Sequence, residues 1–370
     1  MAEALLSNRQ DYVRIYSLSI YSVNFRIKKV NKNPASLPPP MSPSGPLPST
    51  DELRTSYRLV RDVRAQRVLR VQAALGIAIR EYLNGQGFTE LLPPIIGPAT
   101  DPGIRGAEQA TINFYGREYK VMSSAILYKQ MMAASLGRVY FFSPNVRLEP
   151  LETAATGRHL VEFVQVDVEE AGATYHDAMR RAEALVAYVH DYAKTRLADD
   201  LAGFPRTLNG AHAPFRRLSY DEARAILAGH GREIPYGIEL PWDHEEFLSS
   251  QFREPFFITD YPRGSRGFYD REDPDHPGIL RDFDLIYPEG YGEAISGAER
   301  EHEYAKVIAR LREAGENPSK YEWYLDMLRE GIPLSSGFGI GVERLTRYIC
   351  GLRAVWEARP YPKVAGVFSP

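Results

Sequence analysis

The 370-residue sequence holds one cysteine, Cys350, so no disulfide can close within the chain and a reducing compartment fits. Cys350 sits in an apolar helical stretch and reads as buried packing. No apolar run approaches the ~20 residues that span a bilayer. Met1 to Gln10 is mostly polar and lacks the apolar core of a secretory signal. A cytoplasmic protein with no membrane partner is expected. An excess of one charge is also missing. The net charge of −3 is not the basic footprint that would advertise nucleic-acid binding. No internal repeat is visible. What is present is ordinary globular composition, 44% hydrophobic and 25% charged, enough for one large core, or one core plus a small appendage.

Between these absences the chain is punctuated. Tyr12 to Phe25 alternates weakly and is readable as a strand or hairpin. Pro34, Pro38 to Pro40, Pro43, Pro46 and Pro48 then form a polyproline-like linker. Residues 1–50 therefore read as an extension shorter than a typical domain. From Asp51 to Asn84, Leu59, Val63, Val68, Val71, Ala74, Ile77 and Tyr82 fall near helical spacing. Phe88 to Leu92 follows as a strand, stopped by Pro93 and Pro94. The spacing predicts further helices over Ser124 to Leu136, Tyr175 to Leu197, Glu299 to Ala314 and Ser319 to Glu330. Strands are expected over Val139 to Phe142, Phe256 to Asp260, Gly267 to Tyr269 and Phe283 to Ile286. Two more surround a polar loop between Asn145 and Glu170. Strands outnumber the helices between them. An α+β fold with a mostly antiparallel sheet fits better than a doubly wound one.

Three clusters could carry chemistry. Gly337, Gly339 and Gly341 alternate, so all three share one face of a strand. Glycine weakens a strand, and three on one face suggest that something approaches that backbone closely. Val342, Leu345, Tyr348 and Ile349 continue as a helix with Arg344 in its first turn, where a cation opposes the dipole. That suggests an anionic ligand; a glycine-rich corner with a surface arginine explains the same residues. In the second cluster Phe163, Gln165, Asp167 and Glu169 share one face, and Val164, Val166 and Val168 the other. Arg147 and Glu149 share a face on the preceding strand. A solvated face with cross-strand ion pairs would use the same residues. In the third, Asp284, Glu293 and Ser296 supply the oxygen donors that Mg²⁺ takes beside substrate phosphates. A glycine turn and a helix start at Glu299 and Glu301 fit that spacing equally.

Together, Gly87 to Pro94, Arg147 to Glu169 and Gly337 to Arg344 resemble motifs 1, 2 and 3 of the class II aminoacyl-tRNA synthetases, in the aspartyl/asparaginyl branch. The resemblance covers nearly the whole catalytic core of that family. It implies a six- or seven-stranded, mostly antiparallel sheet flanked by helices, a catalytic domain over residues 51–370, and a homodimer built on residues 55–84 and 88–92. It implies ATP and Mg²⁺, and a carboxylate that attacks ATP to give an acyl-adenylate and pyrophosphate. Arg147 then meets the α-phosphate and the attacked carboxylate, and Glu149 reads adenine. Phe163 lies under adenine with Arg344 on its other face, near the γ-phosphate. Arg158 and His159 match positions near the terminal phosphates; Asp284, Glu293 and Ser296 match the Mg²⁺ positions. Ser124 to Gln130 resembles the Ser-Pro-Gln-Leu-Tyr-Lys-Gln stretch of the aspartyl enzymes. By that match Lys129 and Arg300 hold a substrate side-chain carboxylate, while Gln165 and Asp167 lie near its ammonium. Asparagine-specific enzymes tend to carry glutamate where Asp167 stands, which favours aspartate. Arg147, Arg344 and Lys129 are the expected catalytic residues.

Four departures shape the expected activity. The family's tRNA ligases carry an N-terminal anticodon-binding barrel, and residues 1–50 are too few for one. The loop Pro150 to Gly157 is not basic, Ile126 replaces the family glutamine, and Tyr287 to Gly292 adds residues before Glu293. These features resemble the archaeal-type asparagine synthetases related to asparaginyl-tRNA synthetase. The expectation is therefore an AMP-forming ligase that passes activated aspartate, or a close analogue, to ammonia or a small amine, with tRNA disfavoured as a partner. A stand-alone aspartyl or asparaginyl transferase that charges tRNA is the second reading. A non-catalytic regulatory paralogue is the third, and the presence of Arg147, Glu149, Glu293 and Arg344 weighs against it. Ile126 and Arg266 are the positions where pocket chemistry is expected to differ.

Overall fold

Helix formation after Asp51 comes in pieces. A computed structural model of the chain describes residues 46–103 and 106–370. The Tyr12 to Phe25 alternation and most of the proline-rich linker lie outside them. A 3-10 turn over Thr50–Thr55 and α1 (Ser56–Leu59) precede α2 (Val63–Gly85). The break falls at Asp62, whose carboxylate accepts the Ala65 N–H at 2.9 Å and caps α2. The single helix expected from Asp51 is thus a capped helix with a turn before it.

β1 (Thr89–Leu91) leads into a small sheet made by β2 (Ile96–Gly97), β3 (Thr111–Phe114) and β4 (Arg117–Val121). Next come α3 (Ile126–Leu136), β5 (Arg138–Val146), β6 (Glu162–Ala171), α4 (Tyr175–Arg196) and the single turn α5 (Ala198–Leu201). β7 (Arg216–Ser219), α6 (Tyr220–Ala228), α7 (Trp242–Ser250) and β8 (Phe256–Thr259) precede the hairpin of β9 (Asp282–Tyr287) and β10 (Gly292–Glu299). The chain ends through α8 (Tyr304–Glu313), α9 (Glu322–Glu330), β11 (Ser335–Gly341) and α10 (Val342–Cys350). Among the described residues the main sheet has eight strands in the order β1-β5-β6-β11-β10-β9-β8-β7. Its parallel pairs are confined to the two edges, β1 with β5 and β7 with β8. The expected α+β fold with a mostly antiparallel sheet stands, with one strand more than the six or seven expected. The extra strand is the four-residue β7, from a stretch whose mixed pattern hid it.

Two local expectations change. Gly267 to Tyr269 is a bend, not a strand. A Cβ on Gly267 would lie 2.5 Å from the Tyr269 ring, because the chain doubles back there. Glu299 does not start a helix. It ends β10, fully buried, with Arg271 at 2.6 Å and Arg281 at 3.2 Å.

One face of the sheet is apolar and builds the core. Val166 and Val168 of β6, Phe338 and Ile340 of β11, Ile295 of β10 and Phe283 and Leu285 of β9 pack beneath α2, α4 and α10. Those helices contribute Val71, Leu75 and Ile79, then Leu185, Val186 and Val189, then Leu345 and Ile349. Each such side chain contributes about 1.5–3 kcal/mol of burial, which holds the sheet rigid under the site. Cys350 joins this core, and burial pushes its thiol up to about 12, so it is an inert packing group.

The other face is polar, and the register explains its shape. Asp284, Ser296, Gly339 and Asp167 stand side by side on β9, β10, β11 and β6. The next row is Asp282, Ala298, Gly337 and Glu169. Small residues thus floor a trough between two acidic walls. The alternating glycines leave room, but the groups that fill it are the chain's own. A Cβ on Gly337 would lie 2.1 Å from both Glu169 Oε2 and the Val168 carbonyl.

His190 of α4 gives this core a pH signature. It is fully buried, its Nδ1 donates to the Asn209 carbonyl at 3.2 Å, and its Nε2 has no partner among the described residues. Burial pushes its pKa down to about 4. The unfolded chain takes up this proton near pH 6.5, the folded chain only near 4, so stability is unaffected above 6.5 and falls as the pH drops between them. Denaturant titrations should show about 2 kcal/mol of loss between pH 7 and pH 5 from this residue. A His190→Leu variant should lack that component; an unchanged slope would count against the assignment.

Candidate active site

The polar trough is lined by charges that the fold brings from far apart. Lys129, on α3, is buried. Its ammonium donates to Asp167 Oδ1 at 3.2 Å and to the Phe338 carbonyl at 3.0 Å, and lies 3.8 Å from Glu169 Oε2. Arg300, just past β10, forks onto both oxygens of Glu169 and reaches Asp270 at 3.1 Å. Ser335 donates its hydroxyl to Glu169 at 2.8 Å. Burial pulls the Lys129 pKa down, with Asp167 opposing. Burial also works against the charge of Arg300, but Glu169 and Asp270 outweigh it and raise its pKa. Two cations therefore face three carboxylates, and Asp167 Oδ2 is buried with no hydrogen-bond partner among the described residues.

Beside this pocket lies a more open end. Arg147 follows β5, donates from Nε to the Ser123 carbonyl at 3.1 Å, and sets its guanidinium 5.1 Å from the Phe163 ring centroid. Among the described residues it has no carboxylate partner, unlike Lys129 and Arg300. Glu149 is half-buried two residues on. Gln165 lies one register step along β6 and accepts from Asn145 at 3.0 Å. Arg344, in the first turn of α10, meets Glu293 Oε1 at 3.2 Å across the strand ends. Ser296 is half-buried and pairs in register with Asp284. Asp284 is buried and ion-paired with Arg266 at 2.5 Å. Arg266 also meets Glu239 at 2.6 Å and Asp282 at 3.2 Å, stacked 3.9 Å from the Tyr261 ring centroid. These carboxylates, Asp284 first, raise its pKa despite burial. His159 Nδ1 is 2.7 Å from the Thr156 hydroxyl. Arg158 lies deeper, ion-paired with Glu245.

The structure thus gathers Lys129, Gln165, Asp167 and Arg300 in one pocket, and Glu293 with Arg344 at one strand end. It turns Arg158 and Asp284 onto protein partners. Three groups escape the sequence reading in these roles: Glu169 as the base plate of Arg300, Asp270 as its second anchor, and Glu245. Glu169 carried a signal, because it shares the period-two face of Gln165 and Asp167. Asp270 carried none; it reaches Arg300 through an isolated bridge between two irregular segments.

Comparison with known proteins identifies the architecture. Residues 50–365 match the family of class II tRNA synthetases (D, K and N). An asparagine–tRNA ligase of Pyrococcus abyssi is 34% identical over 333 residues, 89% of this chain and 76% of the relative. One of Chloroflexus aurantiacus is 35% identical over 319 residues, 82% of this chain and 70% of the relative. The crystal structure of asparaginyl-tRNA synthetase from Pyrococcus horikoshii, complexed with asparaginyl-adenylate, superposes with a TM-score of 0.81 at 34% identity, covering 86% of this chain and 73% of that one. These relatives overturn two expectations. A tRNA-independent ligase that transfers aspartate to ammonia or a small amine does not stand, and neither does the expectation that disfavoured tRNA as a partner; the second reading, a transferase that charges tRNA, fits these relatives better. Both drew on an extension too short for an anticodon-binding barrel and on the absence of basic residues in the loop Pro150 to Gly157. Charge governs only the sequence-independent share of nucleic-acid affinity, so a modest charge does not exclude a tRNA partner. With the motifs, the sheet and these relatives in agreement, the chain belongs to the class II tRNA synthetases of the D, K and N group.

Proposed function

We propose that the chain is an ATP-dependent ligase that activates asparagine as its adenylate and transfers it to tRNA. The observation that carries the amino-acid choice is the charge balance of the pocket. Lys129 and Arg300 are already matched by Asp167, Glu169 and Asp270. A substrate carboxylate there would add a fourth buried negative charge, at a cost that burial makes steep. A carboxamide adds none, and its NH₂ can donate to Asp167 Oδ2.

In this reading the asparagine α-carboxylate attacks the α-phosphorus of ATP in line, forming the mixed anhydride as the bond to pyrophosphate breaks. A hydroxyl of the terminal tRNA ribose then attacks the acyl carbon, gives up its proton, and AMP leaves. Arg147 balances charge at the α-phosphate and Arg344 at the departing pyrophosphate. Phe163 offers a face for adenine, and Glu149 an acceptor for its amino group. The residues present fit Mg²⁺ in a modest way. Glu293, Ser296 and Asp284 Oδ1, which is buried with no hydrogen-bond partner among the described residues, are oxygen donors. Among the described residues no three His, Cys, Asp or Glu side chains form a metal cage. That set suits an ion held largely by substrate phosphates and water. When bound, it would neutralise phosphate charge.

The test is pyrophosphate exchange and tRNA charging with labelled amino acids. Asparagine should support both, and aspartate should be worse by on the order of 10⁴-fold in kcat/KM, the scale of discrimination by a site built to hydrogen-bond its substrate. A preference for aspartate, or asparagine exchange without any acid-precipitable label on tRNA, would sink the proposal.

A further inference from the structure

Arg158 matches a phosphate-binding position in sequence, yet its guanidinium points elsewhere. It is buried, paired with Glu245 of α7, and donates to the Trp242 carbonyl at 2.7 Å. Glu245 is equally buried, and its Oε1 accepts the backbone N–H of Glu293 at 2.7 Å. Glu293 in turn meets Arg344. A continuous run of polar contacts thus joins the end of the β5–β6 loop, α7, the start of β10 and the first turn of α10. The fit is close. Gly292 has φ +73°, and a Cβ on it would lie 2.2 Å from Arg158 and 2.6 Å from Glu245.

The turn that leads into Glu293 is pinned from the same helix. The Ser249 hydroxyl donates to the Tyr287 carbonyl at 2.6 Å and accepts the N–H groups of Gly290 at 3.0 Å and Gly292 at 3.2 Å. The Tyr291 ring faces Arg206 at 4.6 Å and Arg347 at 5.0 Å. This is the Tyr287 to Gly292 segment whose extra residues stand out in the sequence. Extra length in a turn adds freedom, and here these contacts tie the turn down.

We propose that Glu245 is a positioning residue of the ATP site. Neutralised by Arg158, its carboxylate holds the Glu293 N–H and so fixes where β10 begins and where the Glu293 side chain meets Arg344. The inference rests on the tRNA-ligase reading, in which Glu293 and Arg344 serve the triphosphate. A buried N–H that loses its acceptor must find another, and the turn shifts to supply one.

Removing Glu245 alone would strand the Arg158 charge in the interior, so the test uses two uncharged pairs, a replacement that buried ion pairs often tolerate. Arg158→Met with Glu245→Gln keeps an acceptor for the Glu293 N–H. Arg158→Met with Glu245→Leu removes it. Calorimetric titration with ATP and Mg²⁺ should find the leucine pair about tenfold weaker than the glutamine pair, the usual cost of losing an outer partner of a binding group. Hydrogen-exchange mass spectrometry should show faster exchange in the peptide around Glu293 for the leucine pair alone. The kcat of pyrophosphate exchange should fall with it, while the KM for asparagine holds. Equal ATP affinity and equal amide protection in the two pairs would overturn the positioning role and leave the ligase reading intact. Failure of the unaltered chain to bind ATP would overturn that reading and the positioning role together.

Discussion

Arg147→Ala should slow asparagine-dependent pyrophosphate exchange about 10³-fold, the upper range for loss of one preorganised donor at a reacting centre. Two neutral groups hold the residue: the Ser123 carbonyl on its Nε and the Phe163 ring beside its guanidinium. Among the described residues no carboxylate pairs with it, so in the ligase reading its charge is left for the phosphate. Charge that develops at the α-phosphate meets a cation that has no reorganisation left to do, in a site where the rigid sheet has removed slack. The fold should hardly notice, because no carboxylate among the described residues is stranded when the guanidinium goes. Circular-dichroism melts should overlay those of the unaltered chain. Arg147→Lys should recover only part of the rate, because an ammonium lacks the planar fork that meets two phosphate oxygens. A loss below about tenfold would remove Arg147 from the transition state.

Lys129→Met should behave in the opposite way, damaging fold and activity together. Methionine nearly matches the volume, so the change is one of charge. It leaves Glu169 buried with Arg300 as its cation, and Asp167 buried with no ion-pair partner among the described residues. Breaking one side of a buried ionic network costs about 3–5 kcal/mol, which denaturant titration reads directly. Part of that loss should return at lower pH, because a stranded carboxylate regains neutrality by taking a proton. Adding Asp167→Leu to Lys129→Met should restore much of the stability and none of the asparagine-dependent exchange, since the acceptor for the substrate amide is then gone. Equal stability of Lys129→Met and the unaltered chain would show that the pocket is open to solvent.

The expectations failed where local pattern was asked to report on distant partners. Alternation placed Gln165, Asp167 and Glu169 on one face, and the register bears that out. Alternation also placed Gly337, Gly339 and Gly341 on one face, opposite those residues. It could not say what fills the space above the glycines, because that depends on which strand lies alongside. Arg158 illustrates the same limit. Its neighbours in sequence mark it for phosphate, but its partner Glu245 lies 87 residues away on a helix that the sequence left unresolved. Asp284 was legible as a donor in an apolar strand. Its pairing with Arg266 was not, since Arg266 reaches it from the edge of a bend that reads locally as a strand.

What the sequence determined by itself is local and periodic: which stretches form strands, which side chains share a face, where α10 follows β11, and which motifs mark the family. Hydrophobic alternation fixes these, because burial of one face is enforced residue by residue along the strand. What only the tertiary structure decided is which charges neutralise which. Arg300 meets Glu169 across 131 residues, and Lys129 reaches the Phe338 carbonyl across 209. Ion pairs act over a few ångströms and desolvation punishes any that are left open, so their pairing follows the order of strands in the sheet and not their order in the chain.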